Sequence, residues 1–250
     1  MESNRLNGRT ALVTGSTSGI GRAIAKALAA EGATVAVSGR DAGRGAQAVA
    51  AIGGDAVFVP ADLGTADGAR DLAARATDAL GGRIDILVNN AGVYPSGPTA
   101  DLDDASVDAL LGVNIRAPHV LVGALAPAMA ARGEGVIVNL GSWISQIGLG
   151  QGALYGATKA AVEQMSRSWA AEYGAAGVRV NAVSPGVTIT EGNADAGPIL
   201  DQMVARTPAG RVGQPEEIAA AVVFLASDDA AFVHGATFSV DGGALNVYAG

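Results

Sequence analysis

Short runs of β-branched residues alternate with longer alanine- and leucine-rich stretches along this chain of 250 residues. This alternation is typical of a parallel sheet connected by helices, and several runs are apolar throughout, as strands covered on both faces are. The pattern predicts strands at residues 10–14, 34–38, 56–60, 84–89, 135–140, 178–183 and 237–240. It predicts helices near residues 19–31, 41–52, 66–80, 103–131, 153–174 and 215–226. The expected fold is therefore α/β, with a seven-stranded parallel sheet and helices on both faces.

One long segment departs from the alternation. Residues 187–213 contain no strand pattern, and no linker, repeat or low-complexity tract divides the chain. We therefore predict a single domain over residues 1–250, in which residues 187–213 form a substrate lid, because long irregular insertions often cover a site. The alternative is a solvated surface loop.

The composition excludes several classes of function. The 16 Lys and Arg residues are outnumbered by 24 Asp and Glu residues, and no basic run offers a surface to nucleic acid. The absence of cysteine excludes disulfides, thiolate nucleophiles and cysteine-ligated metals, and the two histidines, His119 and His234, are far apart in sequence. We predict no nucleic-acid partner and no metal site.

The sequence also argues against a membrane protein. The first ten residues lack the apolar core of a secretory signal. Residues 135–158 carry no charge and are long enough to span a bilayer, but their glycines, serines and glutamines make a span a poor interpretation. A cytoplasmic protein is the expectation.

The stretch TGSTSGIG, residues 14–21, places Gly15, Gly19 and Gly21 between the first strand and the first helix. A tight turn alone needs one or two glycines, so three suggest that a ligand approaches the main chain there. A helix N-terminus favours an anion at that place. The alternative at this point is a glycine-rich turn without a ligand, because short glycine patterns are weak signals.

Further motifs follow in a fixed order, and together with TGSTSGIG they resemble the motifs of the short-chain dehydrogenase/reductase family. They are NNAG at 89–92, Asn114 in LLGVNIRAP, Ser142 in NLGSW, YGATK at 155–159, SPG at 184–186 and DGG at 241–243. The glycine spacing differs from that of the common dinucleotide fingerprint. The resemblance covers essentially the whole chain and implies a doubly wound, Rossmann-like domain. It also implies reversible hydride transfer between a nicotinamide cofactor and a ketone, an aldehyde or a secondary alcohol.

The catalytic residues that the resemblance implies are Asn114, Ser142, Tyr155 and Lys159. Tyr155 and Lys159 are four residues apart and so share one helix face, where the ammonium is expected to lower the tyrosine pKa. Tyr155 would then exchange a proton with the substrate oxygen near neutral pH. The resemblance implies that Ser142 donates a hydrogen bond to that oxygen and that Lys159 also binds the nicotinamide ribose. It implies that Asn114 holds a water of a proton relay. Taken singly, each residue has a structural alternative, such as packing or a strand-end cap.

The resemblance places the cofactor along the carboxyl ends of the strands. The glycine turn is expected to hold the pyrophosphate at the positive end of the first helix. Asp62 resembles an adenine contact, with a helix N-cap as its alternative, and Thr188 and Thr190 match positions that meet the nicotinamide amide and the pyrophosphate. The expected set is Gly15, Ser16, Ser18, Gly19, Ile20, Gly21, Arg40, Asp62, Leu63, Asn90, Ala91, Gly92, Tyr155, Lys159, Pro185, Gly186, Thr188 and Thr190.

The end of the second strand predicts a preference for NADP(H), with NAD(H) as the alternative. NAD-selective enzymes place Asp or Glu there, whereas this chain has Gly39. Arg40 is expected to meet the ribose 2′-phosphate, with a hydroxyl contact from Ser16. Two features weigh against this preference. Asp41 is adjacent, and Ser18 stands where many NADPH-selective relatives carry a second basic residue.

A small carbonyl or alcohol is the expected substrate. The expected contacts are Val93, Tyr94, Ser142, Trp143, Ile144, Tyr155 and Val187. For Tyr94 and Trp143, core packing is an equal alternative.

Two other functions stay open at this stage. One is the ketoreductase of fatty-acid synthesis, whose acidic acyl carrier protein needs a basic patch, but residues 130–135 and 173–179 carry only scattered arginines. The other is a nucleotide-binding regulator without catalysis, for which the loss of Tyr155 or Lys159 is the expected mark, and both are present.

The resemblance further implies a homotetramer. The family builds its interfaces from the long helices that hold Asn114 and Tyr155 and from the C-terminal segment. In this segment the apolar Leu245, Val247 and Tyr248 are poorly suited to solvent.

Overall fold

Seven parallel strands form one sheet in the order β3-β2-β1-β4-β5-β6-β7. The computed structural model describes residues 4–245 and residue 247, so Tyr248 lies outside the described residues. The strands are β1 Thr10–Val13, β2 Thr34–Gly39, β3 Val57–Pro60, β4 Ile86–Asn89, β5 Gly135–Leu140, β6 Val178–Pro185 and β7 Thr237–Val240. The predicted seven-stranded parallel sheet is confirmed.

Helices cover both faces of the sheet, as predicted. They are α1 Gly19–Ala30, α2 Ala42–Ile52, α3 Ala66–Ala79, α4 Asp104–Ala109, α5 Ala117–Arg132, α6 Ala153–Tyr173, α7 Gly197–Val204 and α8 Pro215–Ala226. Alternate residues of the central strands point to opposite faces and build two apolar cores. In β1, Ala11 and Val13 pack with α1, α2 and α8, whereas Leu12 packs with α3, α5 and α6.

The order of the sheet reverses beside β1, which pairs with β2 on one side and with β4 on the other. In open α/β sheets, such a reversal leaves a crevice outside the carboxyl ends of the strands, where ligands bind. The glycine turn follows β1 and the NNAG motif ends β4, so both motifs lie at this crevice.

The helix predicted at residues 103–131 contains a widened stretch. A π-helical segment, Leu110–Arg116, lies between α4 and α5. Pro118 has no N–H, so it cannot donate to the carbonyl of Asn114 four residues earlier, as an α-helix would require. Such π-helical turns are frequent at functional sites.

The segment 187–213 also contains a helix that the sequence pattern missed. Helix α7 begins with Pro198 near its N-terminus and buries Leu200 and Val204, four residues apart. Its eight residues are too few to show a clear helical period. The ends of the segment meet in a parallel bridge between Thr188 and Gly213.

One helical stretch, Asp104–Arg132, is long and apolar enough to cross a membrane by length and composition. Half of its most apolar window is buried inside the protein. Because core helices of soluble proteins pass the same test, the stretch is weak evidence for a membrane span.

Candidate active site

The glycine-rich turn after β1 forms one wall of a cleft at the carboxyl ends of the strands. Gly15 and Gly19 have φ angles of 60° and 52°, in the left-handed region that favours glycine. A Cβ on Gly15 would lie 2.8 Å from Ala91 Cα, and a Cβ on Gly21 would lie 2.3 Å from Asn90 Nδ2. The glycines therefore allow the turn to pack closely against the NNAG loop while its main chain stays open to the cleft.

Hydrogen bonds hold these two loops together. Thr14 Oγ1 accepts from the main-chain N–H groups of Asn90 and Ala91 at 3.1 and 3.0 Å. Asn90 Nδ2 donates to the carbonyls of Thr14 and Gly15 at 2.9 and 3.0 Å. The cleft wall is thus fixed by the protein's own contacts.

Ser16 faces away from the cleft. It is fully buried, and its hydroxyl donates to Val13 O at 2.6 Å and accepts from Ser38 N at 3.0 Å. Because these contacts connect β1 to β2, the prediction that Ser16 contacts the cofactor phosphate is wrong. The next residue, Thr17, lines the cleft instead.

The N-terminus of α1 binds a carboxylate in this structure. Gly19 N–H donates to Glu191 Oε2 at 2.9 Å, and the other carboxylate oxygen pairs with Arg22. The hydrogen bond from Gly19 and the charge of Arg22 hold the pKa of Glu191 below its usual value, against the effect of burial. This helix end therefore accepts anionic oxygens, as a phosphate would require.

The far end of the cleft, beyond β2, is rich in cations. A Cβ on Gly39 would lie 2.7 Å from Thr17 Cγ2, so an acidic side chain does not fit there unless Thr17 moves. Arg40 and Arg44 both line this end. The Asp41 carboxylate caps α2 by accepting from Arg44 N at 2.8 Å, which directs it to the helix.

Asp62 and Leu63 line the cleft after β3. The Asp62 carboxylate accepts from Gly64 N at 2.9 Å, whereas Thr65 caps α3. The alternative reading of Asp62 as a helix cap is thereby excluded.

Asn114 is buried in the π-helical segment and does not line the cleft. Its amide pairs with both backbone groups of Val93 at 2.9 Å and donates to Thr158 Oγ1 at 3.1 Å. Asn114 therefore ties the chain after NNAG to α6. Val93, predicted to face the substrate, lines the cofactor side of the cleft instead, because Asn114 fixes its backbone.

The other three predicted catalytic residues meet in a cavity of about 570 Å³ that continues from the cleft. Ser142 follows β5, and Tyr155 and Lys159 lie in the first turns of α6. Ser142 and Tyr155 both line this cavity, and the Ser142 hydroxyl acts to lower the pKa of the Tyr155 phenol. Lys159 Nζ donates to Leu140 O at 2.8 Å and lies 5.9 Å from the centroid of the Tyr155 ring.

The protonation of this cluster differs from the sequence-based expectation. Burial raises the pKa of the Tyr155 phenol, and the hydrogen bond with Ser142 only partly opposes this effect. Burial also lowers the pKa of Lys159 to about 8, against the effect of the Glu163 charge. The prediction of a lowered tyrosine pKa is therefore wrong for this structure. Tyr155 is a protonated phenol at neutral pH, the form that donates a proton to a carbonyl oxygen.

The cavity is mostly apolar. Tyr94, Trp143, Ile144 and Val187, which were predicted to contact the substrate, line it. Among the described residues, Lys159 is the only charged side chain in its wall. The remaining predicted cofactor residues line the cleft or this cavity; they are Ser18, Ile20, Gly92, Pro185, Gly186, Thr188 and Thr190.

The sequence reasoning missed several lining residues. In the cleft they include Thr17 and Arg44, and the position of Arg44 four residues after Arg40 was a usable signal. In the cavity they include Ser96, Leu149, Gln151, Asn193, Leu200 and Met203. Leu200 and Met203 depend on α7, for which the sequence pattern offered no signal.

Comparisons with known proteins agree with this architecture. Residues 15–245 match a family model described as enoyl-(acyl carrier protein) reductase. The chain is 44% identical to D-threitol dehydrogenase of Mycolicibacterium smegmatis over 96% of this chain and 94% of that protein.

Solved structures are also similar to this chain along nearly its whole length. One described as a short-chain dehydrogenase/reductase family protein is 51% identical, covers 99% of this chain and 100% of its own, and has a TM-score of 0.91. A 3-oxoacyl-(acyl-carrier-protein) reductase from Agrobacterium tumefaciens, solved with NADP bound, is 35% identical over 97% of both chains, with a TM-score of 0.90. These matches span nearly the full chain and accompany the predicted fold and motif order. The chain therefore belongs to the short-chain dehydrogenase/reductase family and is an oxidoreductase that acts on CH–OH or C=O groups.

Proposed function

We propose that this protein is an NADP(H)-dependent oxidoreductase that interconverts a small ketone or aldehyde and the corresponding alcohol. The observation that carries the proposal is the Ser142–Tyr155 hydroxyl pair, buried beside Lys159 in a cavity that continues from the glycine-lined cleft. A proton donor, an oxygen-binding hydroxyl and a cation are the groups that carbonyl reduction needs at one oxygen atom.

The cleft fits a dinucleotide. The open glycine turn lets a pyrophosphate approach the main chain, and the α1 N-terminus already accepts the carboxylate of Glu191. The residues proposed to hold the cofactor are those of the expected set that line the cleft and cavity, with Thr17 and Arg44 added and Ser16 removed. When bound, the nicotinamide supplies or accepts the hydride.

The protein's own residues supply the proton chemistry. We assign Tyr155 as the acid that protonates the substrate oxygen during reduction and as the base in the reverse direction. Ser142 donates a hydrogen bond to that oxygen and stabilises its developing charge. Lys159 binds the cofactor ribose and, in its charged form, favours loss of the Tyr155 proton. The carbonyl of Asn114, which lacks its α-helical donor because of Pro118, is the proposed acceptor for a relay water.

The cation-rich end of the cleft supports the preference for NADP(H). Arg40 and Arg44 line it, Gly39 offers no carboxylate, and the Asp41 carboxylate is engaged at α2. A guanidinium recognises a phosphate by charge-assisted, often bidentate hydrogen bonds. We propose that both arginines meet the ribose 2′-phosphate.

Acyl carrier protein is the alternative partner that the names of two matches suggest. The arginines of residues 130–135 and 173–179 are engaged within the protein. Arg132 donates to Ile84 O at 2.9 Å, and Arg179 donates to Leu225 O and Ser227 O at 2.7 and 2.9 Å. These contacts direct both guanidinium groups to the protein's own main chain rather than to a partner, so we favour a small-molecule substrate.

We also propose a homotetramer in which residues 187–213 act as a lid. Phe232, Phe238 and Val247 expose apolar surface near β7, the edge strand, which supports an interface there. Val187, Thr188, Leu200 and Met203 line the cavity from the lid segment. The cytoplasmic location remains a prediction from the sequence.

A direct assay tests the proposed function. NADPH or NADH is mixed with a panel of activated ketones and aldehydes, and the loss of reduced cofactor is measured. We expect turnover with NADPH that depends on Tyr155. A protein that binds NADPH but reduces none of the carbonyls and oxidises none of the corresponding alcohols would instead favour a nucleotide-binding regulator without catalysis.

A further inference from the structure

Glu163 is a buried carboxylate that none of the steps above uses. It lies on α6, four residues after Lys159, and is only 4% exposed. Burying an ionised carboxylate is costly unless hydrogen bonds or an opposite charge compensate it. The hydrogen-bond partners of Glu163 therefore indicate which part of the site the buried carboxylate holds in place.

The carboxylate binds the loop that carries Ser142. Glu163 Oε1 accepts from Ser145 Oγ at 2.8 Å and from the main-chain N–H of Ser142 at 3.4 Å. A Cβ on Gly141 would lie 2.3 Å from the same oxygen, so glycine at that position lets the carboxylate reach the loop. Gly141, Ser142 and Ser145 of the β5–α6 connection thus all lie close to one carboxylate oxygen.

The charge of Glu163 also acts on Lys159. The two residues are one helical turn apart, both are buried, and the negative charge opposes the effect of burial on the lysine. The groups that face Glu163 from the connection packed against it, Ser142 N–H and Ser145 Oγ, are neutral. Lys159 is the charged group that responds to it.

Building on the proposed function, we propose that Glu163 is a positioning residue that fixes the Ser142 loop and places a buried carboxylate one helical turn from Lys159. Glu163 lines neither the cleft nor the cavity. It acts through Ser142, which meets the substrate oxygen, and through Lys159, which assists Tyr155.

Glu163→Gln separates charge from geometry, because a glutamine oxygen still accepts hydrogen bonds from Ser142 and Ser145. Without the carboxylate, the pKa of Lys159 falls further, so the alkaline limb of the kcat profile for carbonyl reduction should move down by about one pH unit. We expect kcat at pH 8 to fall about fivefold and to recover as the pH is lowered, while the Kd of NADPH changes less than about twofold. Glu172→Gln, which removes an exposed carboxylate from the same helix, is the matched control.

A Glu163→Gln profile that superimposes on that of the wild type would overturn the inference. If this variant does not fold, Ser145→Ala removes the shorter hydrogen bond and keeps the charge. We then expect kcat to fall at least threefold without a shift of the alkaline limb, and an unchanged kcat would overturn the role in fixing the loop. A wild-type protein that reduces no carbonyl would contradict the proposed function itself. The failure of the proposed function is therefore distinguishable from the failure of the inference about Glu163.

Discussion

The Lys159 Nζ lies 5.9 Å from the centroid of the Tyr155 ring and donates its hydrogen bond to Leu140 O rather than to the phenol. Lys159 therefore makes no direct hydrogen bond to the phenol, and its proposed effect on Tyr155 is through its charge. Because burial lowers the pKa of Lys159 to about 8 and raises that of Tyr155, the lysine loses its proton first as the pH rises.

This order of titration predicts the pH dependence of carbonyl reduction. We expect kcat to be highest below pH 8, where both Lys159 and Tyr155 are protonated, and to decline as the pH rises through the pKa of Lys159. The measurement is kcat at saturating NADPH and carbonyl from pH 6 to 10. A constant kcat across pH 7–9 would contradict the assignment of this limb to Lys159.

Arg40→Ala and Arg44→Ala should each reduce the preference for NADPH over NADH. One charge-assisted hydrogen bond contributes about 1.5–3 kcal/mol, which corresponds to roughly a ten- to hundredfold change in the ratio of kcat/KM values. Arg70→Ala, at an exposed arginine on α3 that pairs with Asp67, is the control. If the ratio of kcat/KM for NADPH to kcat/KM for NADH is unchanged in both Arg40→Ala and Arg44→Ala, these arginines do not bind the cofactor.

Asp85→Asn tests a buried ion cluster far from the chemistry. Burial disfavours the Asp85 carboxylate, but hydrogen bonds from Thr10 and Arg83 prevail and lower its pKa. A lowered pKa contributes stability above the ordinary aspartate value near 4, and this contribution is lost as the pH falls through the folded-state value. We expect the variant to lose about 2–3 kcal/mol of unfolding free energy at pH 7 and less at pH 3. Denaturant unfolding at pH 7 and pH 3 checks this expectation. An equal loss of unfolding free energy at the two pH values would contradict the link between the lowered pKa of Asp85 and stability.

The proposed homotetramer predicts a mass of four times the 24.6 kDa chain in light scattering at micromolar concentration. Phe238→Lys, on the edge strand, should shift this mass to a smaller species because a charge replaces apolar surface. Phe238 is 42% exposed in the single chain, so the substitution does not open a core cavity. A monomeric wild type would refute the tetramer.

The strands and the glycine turn were predictable because their patterns are local. A strand buried on both faces is a continuous apolar run, as Leu12 and its neighbours are, and the motif order brought the site residues to one edge of the sheet. Strand β4 begins at Ile86 rather than at residue 84, and the Asp85 side chain, just before it, accepts a hydrogen bond from Thr10 N–H.

What the sequence did not predict depends on contacts between distant segments. Ser16 turns inward because its hydroxyl meets Ser38 of the neighbouring strand. The raised pKa of Tyr155 comes from burial under several loops, which no spacing reveals. Glu163 gave no signal, because a carboxylate on a helix normally faces water and here the loop after β5 covers it.

The central claim is that Tyr155 transfers the proton to the substrate oxygen, and Tyr155→Phe tests it most directly. The substitution removes the hydroxyl and keeps the ring, so the Kd of NADPH should stay within about threefold of the wild type, while kcat should fall by about 10²–10⁴-fold. Tyr173→Phe, at the other end of α6, is the control and should keep full activity. A Tyr155→Phe protein that reduces an activated ketone at a near-native rate would contradict the account.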